Sequence, residues 1–193
     1  MGVASNKKGI ALKLRTPHSP KMLTDSNTKA LSIMKRNAQR LMQLVNQLLD
    51  ISRLDSGRMK ISLVREDIVK CLKILVYEFL SAAESKQIKY IAYLPEKDFV
   101  TWFDRDKVEK IVSNLLSNAF KYTPVNGTIE FSMLIEDPDK QKDKPVMTIR
   151  VTDSGPGIEK EHLSRIFDRF FRVEGRNEAE NHGTGIGLSL TQE

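Results

Sequence analysis

The 193-residue sequence predicts an α+β fold, a sheet covered by helices, preceded by a helical segment. Three observations predict it. Apolar residues recur at helical three- and four-residue spacing in 31–48 and again in 107–122. Short strand-like runs at 88–94, 99–102, 127–135 and 146–151 flank the second of these stretches. A charged connection, DPDKQKDKP, separates the last two runs.

Residues 1–25 contain Pro17 and Pro20, and each biases the residue before it away from helix, so this stretch reads as irregular or as the frayed remnant of a helix ending near Arg15. A long helix follows over 26–54, with Ser26 as N-cap. Leu31, Met34, Ala38, Leu41, Val45 and Leu48 form its stripe. Such a stripe suits a helix packed on its own domain or a seam in a dimeric bundle. Gly57 ends the element. Beyond it, the pattern predicts a strand over 59–64 and a helix over 67–84 with Ile68, Cys71, Leu72, Leu75 and Phe79 inward. The 107–122 helix and the later strands come next, then a short helix from Glu159, a polar stretch over 172–182 and the start of one more helix over 185–191.

Composition bounds the function. A hydrophobic content of 40% supports a core, and 29% charge is ordinary for a folded chain. One cysteine excludes an internal disulfide framework or a multi-cysteine zinc site and suits a reducing compartment. The net charge of +6 is unevenly spread. Residues 1–70 hold 14 Lys and Arg against 5 Asp and Glu, whereas the remainder holds 17 against 20. The basic residues of the first part interleave with a regular apolar stripe and lack an aromatic platform, so a solvated helix face explains them better than nucleic-acid binding. No apolar run reaches membrane-spanning length, the first twenty residues lack the apolar core of a secretory signal, and Asn6 argues against myristoylation.

Three segments carry candidate chemistry. On the 107–122 helix, Asn114, Asn118 and Lys121 fall within about 60° of one another, away from the apolar arc. Mid-helix Asn costs roughly 0.6 kcal/mol against Ala, so two in one stripe suggest recruitment. Their carbonyl oxygens suit Mg²⁺, and a lysine one turn away suits phosphate. A solvated polar face is the plain alternative. In Val151-Thr152-Asp153-Ser154-Gly155-Pro156-Gly157-Ile158, a carboxylate at a strand end precedes a tight glycine turn that a flat ligand can approach. In Gly183-Thr184-Gly185-Ile186-Gly187-Leu188, free N–H groups at a helix start form an anion site, although neither the dinucleotide nor the P-loop pattern is present. Ile166, Phe167, Phe170 and Phe171 form an apolar group that packs in a core or anchors a lid, with Arg172 and Arg176 within reach of phosphate.

In this order, NLLSNAFKYT, DSGPGI, IFDRFFR and GTGIGLSL resemble the N, G1, F and G2 boxes of sensor histidine kinases, members of the ATPase superfamily shared with gyrase, Hsp90 and MutL. The preceding KRNAQRLMQLVNQLLDISRLDSGRM resembles the second helix of their dimerisation and phosphotransfer domain. The resemblance implies a Bergerat-type α/β sandwich over residues 58–193, shortened at its C-terminal end, behind a dimerisation remnant over 1–57. It implies ATP and Mg²⁺ as ligands, with Asn118 on the metal and Asn114 and Lys121 as catalytic positions near the phosphates. Tyr122 would line the base pocket. Asp153 would accept from the adenine amino group, with Gly155, Gly157 and Ile158 shaping that pocket. Gly183, Thr184, Gly185, Ile186, Gly187 and Leu188, together with Arg172, would close around the phosphates. It further implies a homodimer through 26–54, a response-regulator receiver domain as partner and a cytoplasmic location.

The sequence departs from the family at the phosphoacceptor. Leu12 of Leu12-Lys13-Leu14-Arg15-Thr16-Pro17 occupies the histidine position, and Lys13 stands where the family places an acidic residue. A protonated lysine accepts no proton. His18 lies between two prolines and is a poor substitute. A degenerate nucleotide-binding or dimerisation module that transfers nothing is therefore the alternative to a kinase.

Overall fold

The computed structural model describes residues 20–136, 145–173 and 184–192; Leu12, Lys13, His18, Arg176, His182 and Gly183 lie outside them. The chain divides into two compact units, 1–45 and 46–193.

Helix α1 (Pro20–Asp55) begins six residues before the expected Ser26 cap, with proline in its first turn, where the missing N–H costs nothing. In the first unit, Leu31, Met34, Leu41 and Val45 of its stripe are exposed. The helix ends as expected. Gly57 has φ +62, its N–H donates to the Leu54 carbonyl and the Arg58 N–H to that of Arg53, a Schellman closure.

In the second unit, β1 (Val64–Asp67) pairs antiparallel with β3 (Val100–Phe103). The expected strand over 59–64 is shifted. The four residues of β3 pair with 64–67 only, and Ile61 and Leu63 are left exposed despite their alternation. The expected 67–84 helix is two helices, α2 (Ile68–Glu78) and α3 (Leu80–Ser85), separated at Phe79, whose N–H bonds to the Val76 carbonyl in a tightened turn. Asp67 caps α2: its Oδ1 accepts from the N–H groups of Val69 and Lys70 and, across the loop, of Phe99.

The second sheet has the order β2 (Lys89–Tyr93), β4 (Thr128–Glu136), β5 (Val146–Asp153), with β2 parallel and β5 antiparallel to β4. Helix α4 (Arg105–Tyr122) covers it. Ile68, Val69, Leu72 and Val76 of α2 meet Val112 and Leu116 of α4 and Phe131 and Met133 of β4 in the main core. Ala119 and Phe120 join Ala83, Ile88 and Ile129 in an adjoining cluster. Full burial of a side chain such as Phe131 contributes about 1.5–3 kcal/mol, so α4 is held to the sheet by its apolar arc. The short helix expected from Glu159 is a 3-10 helix (Lys160–Arg165), and the last element is α5 (Gly187–Gln192).

Candidate functional site

Asp104 starts α4: its Oδ1 accepts from the Lys107 N–H at 3.1 Å and its Oδ2 from the Ser62 N–H at 2.7 Å. The Ser62 bond, opposed by burial and aided by Lys107, holds this carboxylate below its ordinary pKa. With Val112, Leu116, Ala119 and Phe120 committed to the core, Asn114, Asn118 and Lys121 stand half-buried on another face of the helix.

Two chain segments meet that face. Midway along α4, Asn114 Nδ2 donates to the Gly187 carbonyl at 3.2 Å, fixing the start of α5 against the helix. At the C-terminal end, Gly155 lies against the Tyr122 backbone, so close that a Cβ there would stand 2.9 Å from the Tyr122 carbonyl oxygen and 2.6 Å from Asp153 Oδ1. Asn118 sits on the helix one turn from each of these contacts. Its half-buried side chain makes no hydrogen bond to any described residue, which leaves a carbonyl oxygen available to a hard cation. Lys121 Nζ donates to the Tyr122 hydroxyl at 3.0 Å.

Asp153 is the last residue of β5, paired with Ile129. Its Oδ1 accepts the Gly155 N–H at 2.8 Å. The next residue is anchored to β4, Ser154 N–H donating to the Thr128 carbonyl at 3.0 Å and Ser154 Oγ accepting from the Thr128 N–H at 2.8 Å. Together these bonds set the carboxylate at a defined strand end. Gly157 and Ile158 follow, both exposed.

Thr184 Oγ1 donates to Gln47 Oε1 at 3.0 Å and accepts the Ile186 N–H at 3.3 Å. Gly185 has φ +71, and its carbonyl accepts the Phe170 N–H at 2.9 Å. A Cβ there would lie 2.7 Å from Phe170 backbone, so only glycine fits this crossing. Ile186 is buried, and Leu188 is half-buried on α5. Arg172 is exposed. The aromatic group before it is not a core: Phe167 and Phe170 are exposed, and Phe171 is half-buried with the Arg165 guanidinium 4.4 Å from its ring. Sequence reasoning missed the contributions of Gln47 and Phe170. Nothing local marks Gln47, and Phe170 adopts φ +65, a conformation its side chain does not announce.

The second unit thus brings a carboxylate at a strand end and an Asn- and Lys-bearing helix face together with two glycine segments. Residues 103–193 match the family described as histidine kinase-, DNA gyrase B-, and HSP90-like ATPase. Over 195 aligned residues the chain is 34% identical to hybrid signal transduction histidine kinase D of Dictyostelium discoideum, covering 95% of this chain and 12% of that protein. It is 36% identical to sensor histidine kinase TmoS of Ectopseudomonas mendocina over 86% of this chain and 16% of that protein. Identity to sensor histidine kinase WalK of Bacillus subtilis (strain 168) is 31%, over 88% and 27%. Among solved structures, full-length ShkA in complex with AMPPNP shares the fold with a TM-score of 0.66 and 23% identity, over 86% of this chain and 32% of that one. The nucleotide-free catalytic domain of histidine kinase ThkA does so with a TM-score of 0.53 and 24% identity, over 67% and 78%. The chain carries a catalytic, ATP-binding domain of the kind found in sensor histidine kinases. It spans between 12% and 27% of the length of these three curated relatives. Among the described residues, no helix is long and apolar enough to cross a membrane.

Proposed function

We propose that the chain binds Mg-ATP on the α4 face between the 153–158 loop and the 184–188 segment, and that it serves phosphoryl transfer to a histidine. The reading divides the chain into a dimerisation remnant, 1–57, and a catalytic domain, 58–193. The observation that carries it is the pair of contacts at the two ends of one helix face, Asn114 to Gly187 and Gly155 to Tyr122, with the unpartnered Asn118 amide between them.

Asp153 accepts the adenine amino group with the oxygen that Gly155 does not occupy. Gly155, Gly157, Ile158 and Tyr122 shape the base pocket. Asn118 would hold Mg²⁺ through its amide oxygen, and the half-buried, unpartnered side chain fits that role. Bound there, a Mg²⁺ ion would supply charge neutralisation to the phosphates. Asn114 and Lys121 position and neutralise the phosphates, and Arg172 with Gly183, Thr184, Gly185, Ile186, Gly187 and Leu188 closes over them. No covalent chemistry is asked of the protein; positioning and electrostatics carry the transfer. Leu12 offers no nucleophilic nitrogen, so the acceptor histidine comes from a partner in trans. The exposed stripe of α1 supports pairing through 26–54 with a second copy or a related kinase. A response-regulator receiver domain completes the relay, and the setting is cytoplasmic.

Calorimetric titration with ATP tests the site. Asp153→Ala weakens affinity about 5- to 150-fold, equivalent to ~1–3 kcal/mol, and unchanged affinity removes Asp153 from the adenine role. Asn118→Ala reduces chiefly the Mg²⁺-dependent part of binding; equal losses with and without Mg²⁺ remove it from the metal. Incubation with radiolabelled ATP yields no self-labelling, and strong labelling lost in His18→Ala overturns the role given to Leu12. The degenerate-module reading, favoured by Leu12 alone, is selected if ATP binds but no partner kinase histidine or receiver becomes labelled.

A further inference from the structure

A groove of about 530 Å³ lies between α3 and α4, lined by Phe79, Ala82, Lys86, Ser117, Phe120 and Lys121. At 100° per residue, Ser117 is about 100° and Phe120 about 160° around α4 from Asn118, with Lys121 at about 60° on the boundary. The groove therefore opens on a flank of the helix different from the one that Tyr122 and the 153–158 loop occupy. Its floor is apolar: the Phe79 and Phe120 rings stack with centroids 5.4 Å apart. At its rim stand the Lys86 ammonium and the Ser117 hydroxyl, with Lys121 on the boundary, its ammonium 4.6 Å from the Tyr122 ring centroid. Lys86 Nζ donates one bond, to the Phe120 carbonyl at 2.8 Å, and Lys121 Nζ one, to the Tyr122 hydroxyl at 3.0 Å. An ammonium has three donors, so each lysine retains capacity. Neither forms an ion pair with a described residue, and no carboxylate lines the groove.

We propose that this groove is a second ligand site, for a small organic anion: a carboxylate or phosphate carried on a flat apolar body. Lys86 and Ser117 hold the anionic group, and the stacked phenyl rings take the apolar body; Lys121, whose ammonium is turned to Tyr122, only borders the groove. The volume lies within the range of small-molecule sites, and a cationic rim over an aromatic floor selects an amphipathic anion over a neutral apolar molecule or a bare ion.

The test is a titration of the ¹⁵N-labelled full chain with 1-naphthyl phosphate, followed by amide shifts. Saturable shifts at Ala82, Lys86 and Ser117 are expected, with 1-naphthol and inorganic phosphate each binding at least about tenfold more weakly. Lys86→Gln, which keeps a donor for the Phe120 carbonyl, weakens the probe about tenfold. Asp153→Ala leaves probe binding unchanged, so the outcome does not depend on the nucleotide assignment. Shifts centred on Asn118 and Asp153, or their loss in Asp153→Ala, would place the probe in the nucleotide site and overturn the proposal. So would an absence of saturation, or equal affinity for 1-naphthol.

Discussion

The Asn114 side-chain amide donates to the carbonyl of Gly187, 73 residues further along the chain, at 3.2 Å. This bond joins the middle of one helix to the first residue of another and brings the 184–188 segment to the same helix face that Gly155 approaches from the other end. Asn114→Ala removes it. A neutral, partly buried hydrogen bond contributes about 0.5–1.5 kcal/mol, so the loss is felt locally as an opening of α5. Hydrogen exchange at 187–190 is expected to accelerate several-fold, with the main core around Leu72 and Leu116 unchanged. Uniform acceleration across the unit would show that Asn114 acts on the whole fold instead.

Gly185→Ala is expected to be more damaging than a surface glycine change. The residue sits at φ +71, where an L side chain costs roughly 1–2 kcal/mol, and the added methyl would meet the Phe170 backbone at 2.7 Å. Neither side of that contact is a flexible side chain. Thermal unfolding should show a lowered midpoint, and nucleotide affinity should fall with it. A variant with wild-type midpoint and affinity would show that the Phe170 segment shifts freely.

The sequence announced the helices and the glycine segments because their signals are local. The apolar arc of α4 and the Asn114, Asn118, Lys121 stripe are complementary faces of one periodic pattern, and Gly57 supplies a closure that no other residue makes without strain. Two elements were misplaced for non-local reasons. Met59, Ile61 and Leu63 alternate as a strand should, yet the ladder starts only at Val64, because in the antiparallel register Val64 faces Phe103, where β3 ends and Asp104 turns to cap α4. The α2–α3 break falls at Phe79, whose ring stacks on Phe120 and whose backbone stays right-handed helical (φ −81, ψ −7) while its N–H shifts to the Val76 carbonyl in a tightened turn. The group of Ile166, Phe167, Phe170 and Phe171 read as core packing or a lid anchor, and hydrophobicity alone does not reveal which surface a segment faces. Gln47 was invisible because its partner, Thr184, lies 137 residues away.

Asp67 predicts an acid-sensitive fold. Burial alone would raise its pKa, but the Phe99 N–H, Lys70 and the cap N–H groups outweigh it and hold the carboxylate below 3.8. A depressed carboxylate stabilises the fold fully above its unfolded value and loses that contribution as pH falls through the folded value. Stability should therefore be flat above about pH 5 and decline below about pH 4. Asp67→Ala should remove about 1–2 kcal/mol at neutral pH through the lost cap and flatten part of the acid limb. Urea denaturation of both proteins at pH 7 and pH 3.5 measures this. An equal gap at both values would show that the carboxylate charge contributes nothing.

Lys110 and Asp50 make the sharpest test of how the end of α1 is held. Asp50 is buried, and its Oδ2 accepts from Lys110 Nζ at 2.9 Å, while Lys110 also lies 3.1 Å from Asp106. Burial lowers the Lys110 pKa, but the two carboxylates raise it more, so the pair persists throughout the neutral range and is lost only as pH rises past the raised value. Lys110→Met keeps the alkyl stem but leaves the buried Asp50 carboxylate with only Arg53, 4.0 Å away, at a cost of about 1–3 kcal/mol. Asp50→Asn in that background removes that charge and should recover much of the loss, whereas Asp50→Asn alone should cost less than Lys110→Met. A double-mutant cycle by urea denaturation gives the coupling directly. Additive losses from the two substitutions would mean that the pair does not act as a unit and that the end of α1 is held by its other contacts, Ile51 packing, Gln47 to Thr184 and Asp55 to Arg169.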